Sequence, residues 1–363
     1  MRRLLLPSLC ACLLLLAGFA WPDGGAALGA QLVAPARTSP LLPARRIDAV
    51  LERLPHREGF VRGVDGVPLY WRAVEPGAYR LDYRYRAGDA QHMDFALDFT
   101  APATTVAPRG TVLLLHGWMM DGGSLLPWSL QLAQAGYRTI ALDLRNHGRS
   151  GVAPSGYGLR EARDVAAAVA ALRANGEVEG PLHLMGVSYG AATAIFGARE
   201  LGAQVETVVA LESFDNAAQA IRDMVPYMLH KAPETLGQQF SHRWLRWQLD
   251  APALERAIET AGQALDLPLA RVDVGKALAG VQACVLLMHG SEDGHVPVAH
   301  GRALAAAAPR ARYVEVPGED HISLPMRLDR LAPTVIDWLD NASPGRLCPP
   351  PLALADAAGM HAS

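Results

Sequence analysis

The chain has 363 residues, half of them hydrophobic, and a formal net charge of −3. That length can bury the core of one large domain with an insertion. The near-neutral balance, with no long basic run, leaves nucleic acid without an electrostatic footprint to bind.

Arg2-Arg3 followed by the apolar stretch 4–20 has the charged start and hydrophobic centre of a secretory signal peptide. Gly18-Phe19-Ala20 offers a cleavage site before Trp21, and a second lies after Ala30. The expected location is therefore secreted or periplasmic, with membrane contact only if the segment stays uncleaved as an anchor. Residues 21–58 are rich in Gly, Ala and Pro without periodicity and read as a linker. Asp65-Gly66 between apolar runs predicts a hairpin over 61–71. The stretches 79–85 and 93–99 alternate like strands, with no register evident.

From Thr111 the pattern becomes regular. The continuous apolar run 112–115 reads as a strand buried on both faces, and 138–143, 182–185, 206–211, 281–288 and 312–316 read as further strands. Helical spacing separates them at 125–135, 160–173 and 191–198. Strands alternating with helices predict an α/β fold with a mostly parallel central sheet covered on both faces. Its core would comprise 59–216 and 280–340. Between them, 217–279 is helical in pattern and carries Met224, Tyr227, Phe240, Trp244 and Trp247, which suits a helical cap over the strand ends. The Pro- and Ala-rich stretch 341–363 reads as a disordered tail. Cys10 and Cys12 would leave with the signal peptide, Cys284 falls in a buried strand and Cys348 in the tail, so no structural disulfide is expected.

The chemistry concentrates in Gly186-Val187-Ser188-Tyr189-Gly190, set between a strand and a small-residue helix. A strand turning sharply into a helix holds its turn serine out in a strained conformation, and the glycines make room for it. A serine hydroxyl needs a base to take its proton, and the base needs an acid to orient it. Asp293 and His321 follow later strands and complete the order Ser, Asp, His. All three would sit at the C-terminal ends of parallel strands, where such sheets place ligands. His289, His295 and His300 fit no metal-binding spacing, so neither metal nor cofactor is expected. His147 reads as structural, in a turn that Asp143, Arg145 and Ser150 would brace; Glu292 reads as solvent-facing and Asp320 is set aside.

Over 109–340 the chain resembles an α/β-hydrolase of the cap-bearing esterase, lipase and serine-aminopeptidase type. Besides the serine turn, it matches that family in His116-Gly117, in Asp143-Leu-Arg-Asn-His-Gly-Arg-Ser150 and in Gly290-Ser-Glu-Asp-Gly-His-Val-Pro297. The resemblance implies an oxyanion hole built from the backbone N–H groups of Trp118 and Tyr189. It makes Glu212 and Asp215 competing positions for the acid, and Met119, Met120, Phe214, Met224 and Trp244 candidates for the substrate pocket. The function it implies is hydrolysis of a carboxylic ester with an apolar group, through an acyl-enzyme. The alternatives are a serine aminopeptidase or amidase, with Glu212, Asp215 and Glu234 as an anionic patch, and a non-catalytic binding module.

Overall fold

The structure is a computed structural model that describes residues 24–34, 37, 44–86, 94–230, 249–343 and 348–354. Strands β1 (Arg57–Arg62) and β2 (Pro68–Val74) form an antiparallel hairpin, with Val61 facing Leu69. Its turn puts Asp65 and Gly66 at φ 60° and 75°, the left-handed pair that a tight hairpin turn needs. β3 (Arg80–Arg86) and β4 (Asp94–Thr100) form a separate antiparallel pair whose register sets Arg80 opposite Thr100.

The main sheet adds β5 (Thr111–Leu115), β6 (Arg138–Leu142), β7 (Leu182–Val187), β8 (Val205–Leu211), β9 (Cys284–Gly290) and β10 (Arg312–Val316) to the hairpin. Its order is β1-β2-β6-β5-β7-β8-β9-β10, and these six added strands run mutually parallel. Alternation along β5 explains why its sequence is apolar throughout. Leu113 and Leu115 join one hydrophobic cluster, while Val112 and Leu114 join the cluster on the opposite face. The first face is covered by helices Leu159–Ala174 and Tyr189–Leu201, and the second by Leu126–Gln134 and Leu328–Asn341, with Trp128 and Trp338 fully buried.

The chain runs from β5 outward to β6 and then returns to place β7 on the other side of β5. The connections leaving β5 and β7 therefore diverge, opening a crevice at the strand ends. Helices Ala217–His230, Ala251–Ala264 and Val274–Leu278 lie within the stretch read as a cap.

Three expectations need correction. The stretch read as a linker holds two helices, α1 (Gly24–Val33) and α2 (Ala44–Leu51). Helix α1 packs on Ala251–Ala264, with Gly29 close to the Ala257 carbonyl; its small residues serve close helix approach rather than flexibility. The tail is not wholly disordered, because Cys348–Leu354 follows the body of the protein. Arg312 donates hydrogen bonds to the Cys348 and Pro349 carbonyls, and Thr334 to that of Leu352. Finally, Cys284 and Cys348 form a disulfide. A buried strand cysteine can pair because the tail is drawn back to that same strand, a long-range placement that local pattern does not encode. The signal segment 1–20 lies outside the described residues, as does Trp244. Among the described residues no helix is long and apolar enough to cross a membrane.

Candidate active site

Ser188 forms the turn between β7 and the helix starting at Tyr189, at φ 53° and ψ −113°. A non-glycine residue in a sparsely populated region costs about 1–3 kcal/mol and persists only when its surroundings enforce it. Here the Ser188 N–H donates to the Leu211 carbonyl of β8, while its own carbonyl accepts from Ala191 and Ala192. A methyl at Gly186 would strike the Gly190 backbone, and one at Gly190 would strike the Leu115 and His116 carbonyls. Both glycines are thus fixed by close backbone approach.

His321 stands on the loop after β10, with Nε2 3.0 Å from Ser188 Oγ and Nδ1 2.7 Å from Asp293 Oδ2. Asp293 Oδ1 accepts from the N–H groups of His295 and Val296 at 2.9 and 2.8 Å. Burial pushes the Asp293 carboxyl up, but His321, His289 and the Val296 N–H outweigh it and hold the group well below the usual carboxylate range. Asp293 is therefore ionised at neutral pH, with Nδ1–H of His321 as donor and Nε2 free to accept from serine. The neighbouring His289 donates from Nε2 to the Val296 carbonyl at 2.7 Å and so fixes the loop that presents Asp293.

Trp118 follows the end of β5 and Tyr189 is the first residue of the helix after Ser188. The Trp118 ring stacks on Tyr157 at 5.2 Å and meets Tyr189 and His147 edge-on. Tyr157 in turn donates to the Leu32 carbonyl of α1, so the N-terminal helix supports the Trp118 turn. Beneath it, Asp143 accepts from the Gly122 and Arg149 N–H groups, Ser150 donates to the Asp143 carbonyl, and buried Arg145 pairs bidentately with Asp164. The His116 and His147 imidazoles are pushed down to about 4 and about 3 by burial, and each bonds a nearby carbonyl. Both are neutral braces.

Of the pocket candidates, Met120 lies near Ser188: its sulfur and Ser188 Cβ fall within 3.4 and 3.9 Å of a methyl placed on Gly117. Met119 takes a positive φ of 59° in the same turn. Phe214 is buried in the main cluster with the start of the cap, and Met224 is half-buried on its first helix. Asp215 is engaged elsewhere, 2.5 Å from His300 Nδ1, while Asp223 meets His300 Nε2 at 3.0 Å. Asp320 caps the turn after His321 by accepting from Ile322 and Ser323, and Glu292 is exposed. Sequence reasoning missed the route by which the cap touches the site. Tyr227 packs against Gly294 and edge-on to His295, whose ring lies 5.4 Å from that of His321. The available signal for this was the lone Gly294 in the loop after Asp293.

Glu212, Asp293 and His321 bring donor atoms within 4.8 Å of one another, a set that could touch a metal ion. The Asp293–His321 hydrogen bond already occupies two of those donors. A cavity of about 510 Å³ lies away from Ser188, between α2, the β1–β2 hairpin and the 143–149 turn.

A model of the alpha/beta hydrolase family matches residues 112–334. The chain belongs to that family. This hydrolase is similar to the AB hydrolase superfamily protein YisY of Bacillus subtilis, at 26% identity over 58% of this chain and 84% of that protein. It is 25% identical to the uncharacterized protein YqkD of the same organism, over 65% of this chain and 74% of that one. Among solved structures it shares its fold with the Pyrococcus furiosus esterase Pf2001, with a TM-score of 0.58, 16% identity, and coverage of 85% and 98% of the two chains. It also shares it with the α/β hydrolase GrgF of Penicillium, with a TM-score of 0.55, 13% identity, and coverage of 80% and 99%.

Proposed function

We propose that the protein is a serine hydrolase that cleaves carboxylic esters through an acyl-enzyme. The observation that carries this reading is the continuous hydrogen-bonded line Ser188–His321–Asp293 at a strained strand-to-helix turn. His321 Nε2 takes the hydroxyl proton as Ser188 Oγ attacks the ester carbonyl carbon. Asp293 stabilises the imidazolium, and the Trp118 and Tyr189 N–H groups receive the oxyanion. Each such donor is worth on the order of 100- to 1000-fold in turnover. The imidazolium then protonates the departing alcohol, and the C–O bond to it breaks. In the second half His321 removes a proton from water, which attacks the acyl carbon and regenerates Ser188 as the acid leaves.

Met120, whose sulfur lies near Gly117 and Ser188, offers an adaptable, polarizable side chain that suits an apolar substituent. An aminopeptidase would need an accessible anionic patch for the substrate amine. Glu212 is fully buried, Asp215 is bound to His300, and Glu234 lies outside the described residues. Export through the signal segment draws support from the Cys284–Cys348 disulfide, because such bonds persist in oxidising compartments.

The test is hydrolysis of p-nitrophenyl esters from acetate to palmitate by the wild-type chain and by Ser188→Ala, with an amino-acid p-nitroanilide alongside. Ester turnover that vanishes in Ser188→Ala is expected. Anilide turnover without ester turnover would replace this reading by the aminopeptidase one. Silence on both, with no labelling by a serine-directed phosphonate, would leave a binding module.

A further inference from the structure

Directly behind the base lies a carboxyl group that the reaction above does not use. Glu212 follows β8 at a positive φ of 56°, with its N–H donating to the Met288 carbonyl of β9. Its side chain lies against Gly290, where a Cβ would come within 3.2 Å of Oε1. The residue is wholly inaccessible, and neither carboxyl oxygen makes a hydrogen bond of good geometry. Its Oε2 lies 3.6 Å from His321 Nδ1, the same atom that Asp293 binds at 2.7 Å. A buried carboxyl group so poorly partnered is costly to keep, so its position calls for a reason other than packing.

The geometry points to Glu212 as a reserve acid for His321, a positioning residue that holds Nδ1 when Asp293 cannot. This rests on the reading of Ser188 as nucleophile and His321 as base. The two acids differ in what surrounds them. Asp293 has two backbone N–H donors and stays ionised. Burial first, then the charges of Asp293, Asp320 and Glu319, push the Glu212 carboxyl well above its ordinary range, against a smaller opposing pull from the Gly290 backbone. Two carboxylates this close do not both ionise, so the wild-type site carries one negative charge and one neutral acid. Removing the charge at 293 lifts the largest share of the repulsion on Glu212, leaving that of Asp320 and Glu319. It then ionises against the imidazolium and accepts the Nδ1–H.

The test compares wild type, Asp293→Asn, Glu212→Gln and the double variant in the full-length chain, by p-nitrophenyl ester turnover and by the rate of Ser188 labelling with a fluorophosphonate. The amide introduced by Asp293→Asn keeps an oxygen to accept from the His295 and Val296 N–H groups, which preserves the loop. Loss of a triad acid typically costs about 10⁴-fold in turnover. With the reserve acid present, Asp293→Asn is expected to lose only about 100-fold, and Glu212→Gln alone about 3-fold. The double variant is expected to fall roughly another 100-fold below Asp293→Asn, more than the two single losses combined. Asp293→Asn activity should also rise with pH along a limb that the double variant lacks, which a purely structural Glu212 would not produce. Equal rates for Asp293→Asn and the double variant, or the same pH limb in both, would overturn the assignment. If Asp293→Asn melts early, the Asp293→Ala background poses the same question. Wild-type chain that resists the phosphonate would instead overturn the nucleophile reading, an outcome distinct from any difference among the acid variants.

Discussion

The strand-end site and two outlying segments, α1 and Cys348–Leu354, are held by different means. Around Ser188 the constraints are local in space: neighbouring strand ends donate to one another, and glycines allow backbones to approach. Helix α1 and the Cys348–Leu354 segment instead depend on partners far away in sequence, Ala251–Ala264 for the first and β9, Arg312 and Thr334 for the second. The difference teaches that the strand ends hold a strained turn in place, while α1 and Cys348–Leu354 stabilise the body that enforces that strain.

Substitutions should separate these two roles, beginning with the largest effect. Ser188→Ala is expected to reduce ester turnover by about 10⁶-fold, to background, with an unchanged melting temperature by calorimetry. A large loss of stability would mean that the turn serine also holds the fold. Cys348→Ser should do the reverse. Opening a link across 64 residues removes about 4 kcal/mol in the chain-entropy account, measured by urea unfolding, while turnover per folded molecule stays near wild type.

Ser188→Gly sharpens the contrast further. Glycine accepts φ 53° without a Cβ penalty, so the inactive variant should be more stable by about 1 kcal/mol in the same unfolding experiment. The smallest effect concerns the cap. Burial opposes protonation of His300, but Asp215 and Asp223 outweigh it and raise the imidazole above its ordinary value. Its stabilising contribution is therefore complete below the unfolded value of about 6.5 and fades as pH rises through the raised folded value. Both carboxylates are partly solvated, so the contribution is at most about 1 kcal/mol. Melting curves of wild type and His300→Gln should diverge most in mild acid and converge in alkali. A constant gap across pH would show that His300 acts by packing alone.

Much of this molecule is legible in the chain itself. The apolar run of β5 is continuous because both sheet faces are covered there, whereas edge strand β10 keeps Arg312 and Glu315 among its five residues, and Asp65-Gly66 marks its hairpin through a backbone requirement that few residues meet. Ser188, Asp293 and His321 are recognisable because each sits in a short motif at a strand end, and the fold brings the motifs together. The Gly- and Ala-rich α1 is not legible, because small residues spell flexibility locally but close packing when a partner helix is present. The disulfide is hidden because sequence carries no record of where the tail lies. Glu212 reads as a rival to Asp293, whereas the structure sets both acids against one imidazole nitrogen. Nothing in a linear pattern distinguishes a rival from a companion.

The contact between Tyr157 and the Leu32 carbonyl also bears on the order in which the chain matures. Tyr157 lies 125 residues beyond Leu32, and the helix on which α1 rests is made later still. During synthesis α1 must wait for most of the protein before it finds its seat, a delay that long-range contacts impose on any growing chain. A peptidase acting after Ala30 in that interval would leave only Gln31–Val33 of the helix, whereas a cut after Ala20 would spare it whole. The timing of docking thus sets how long this segment stays open to trimming.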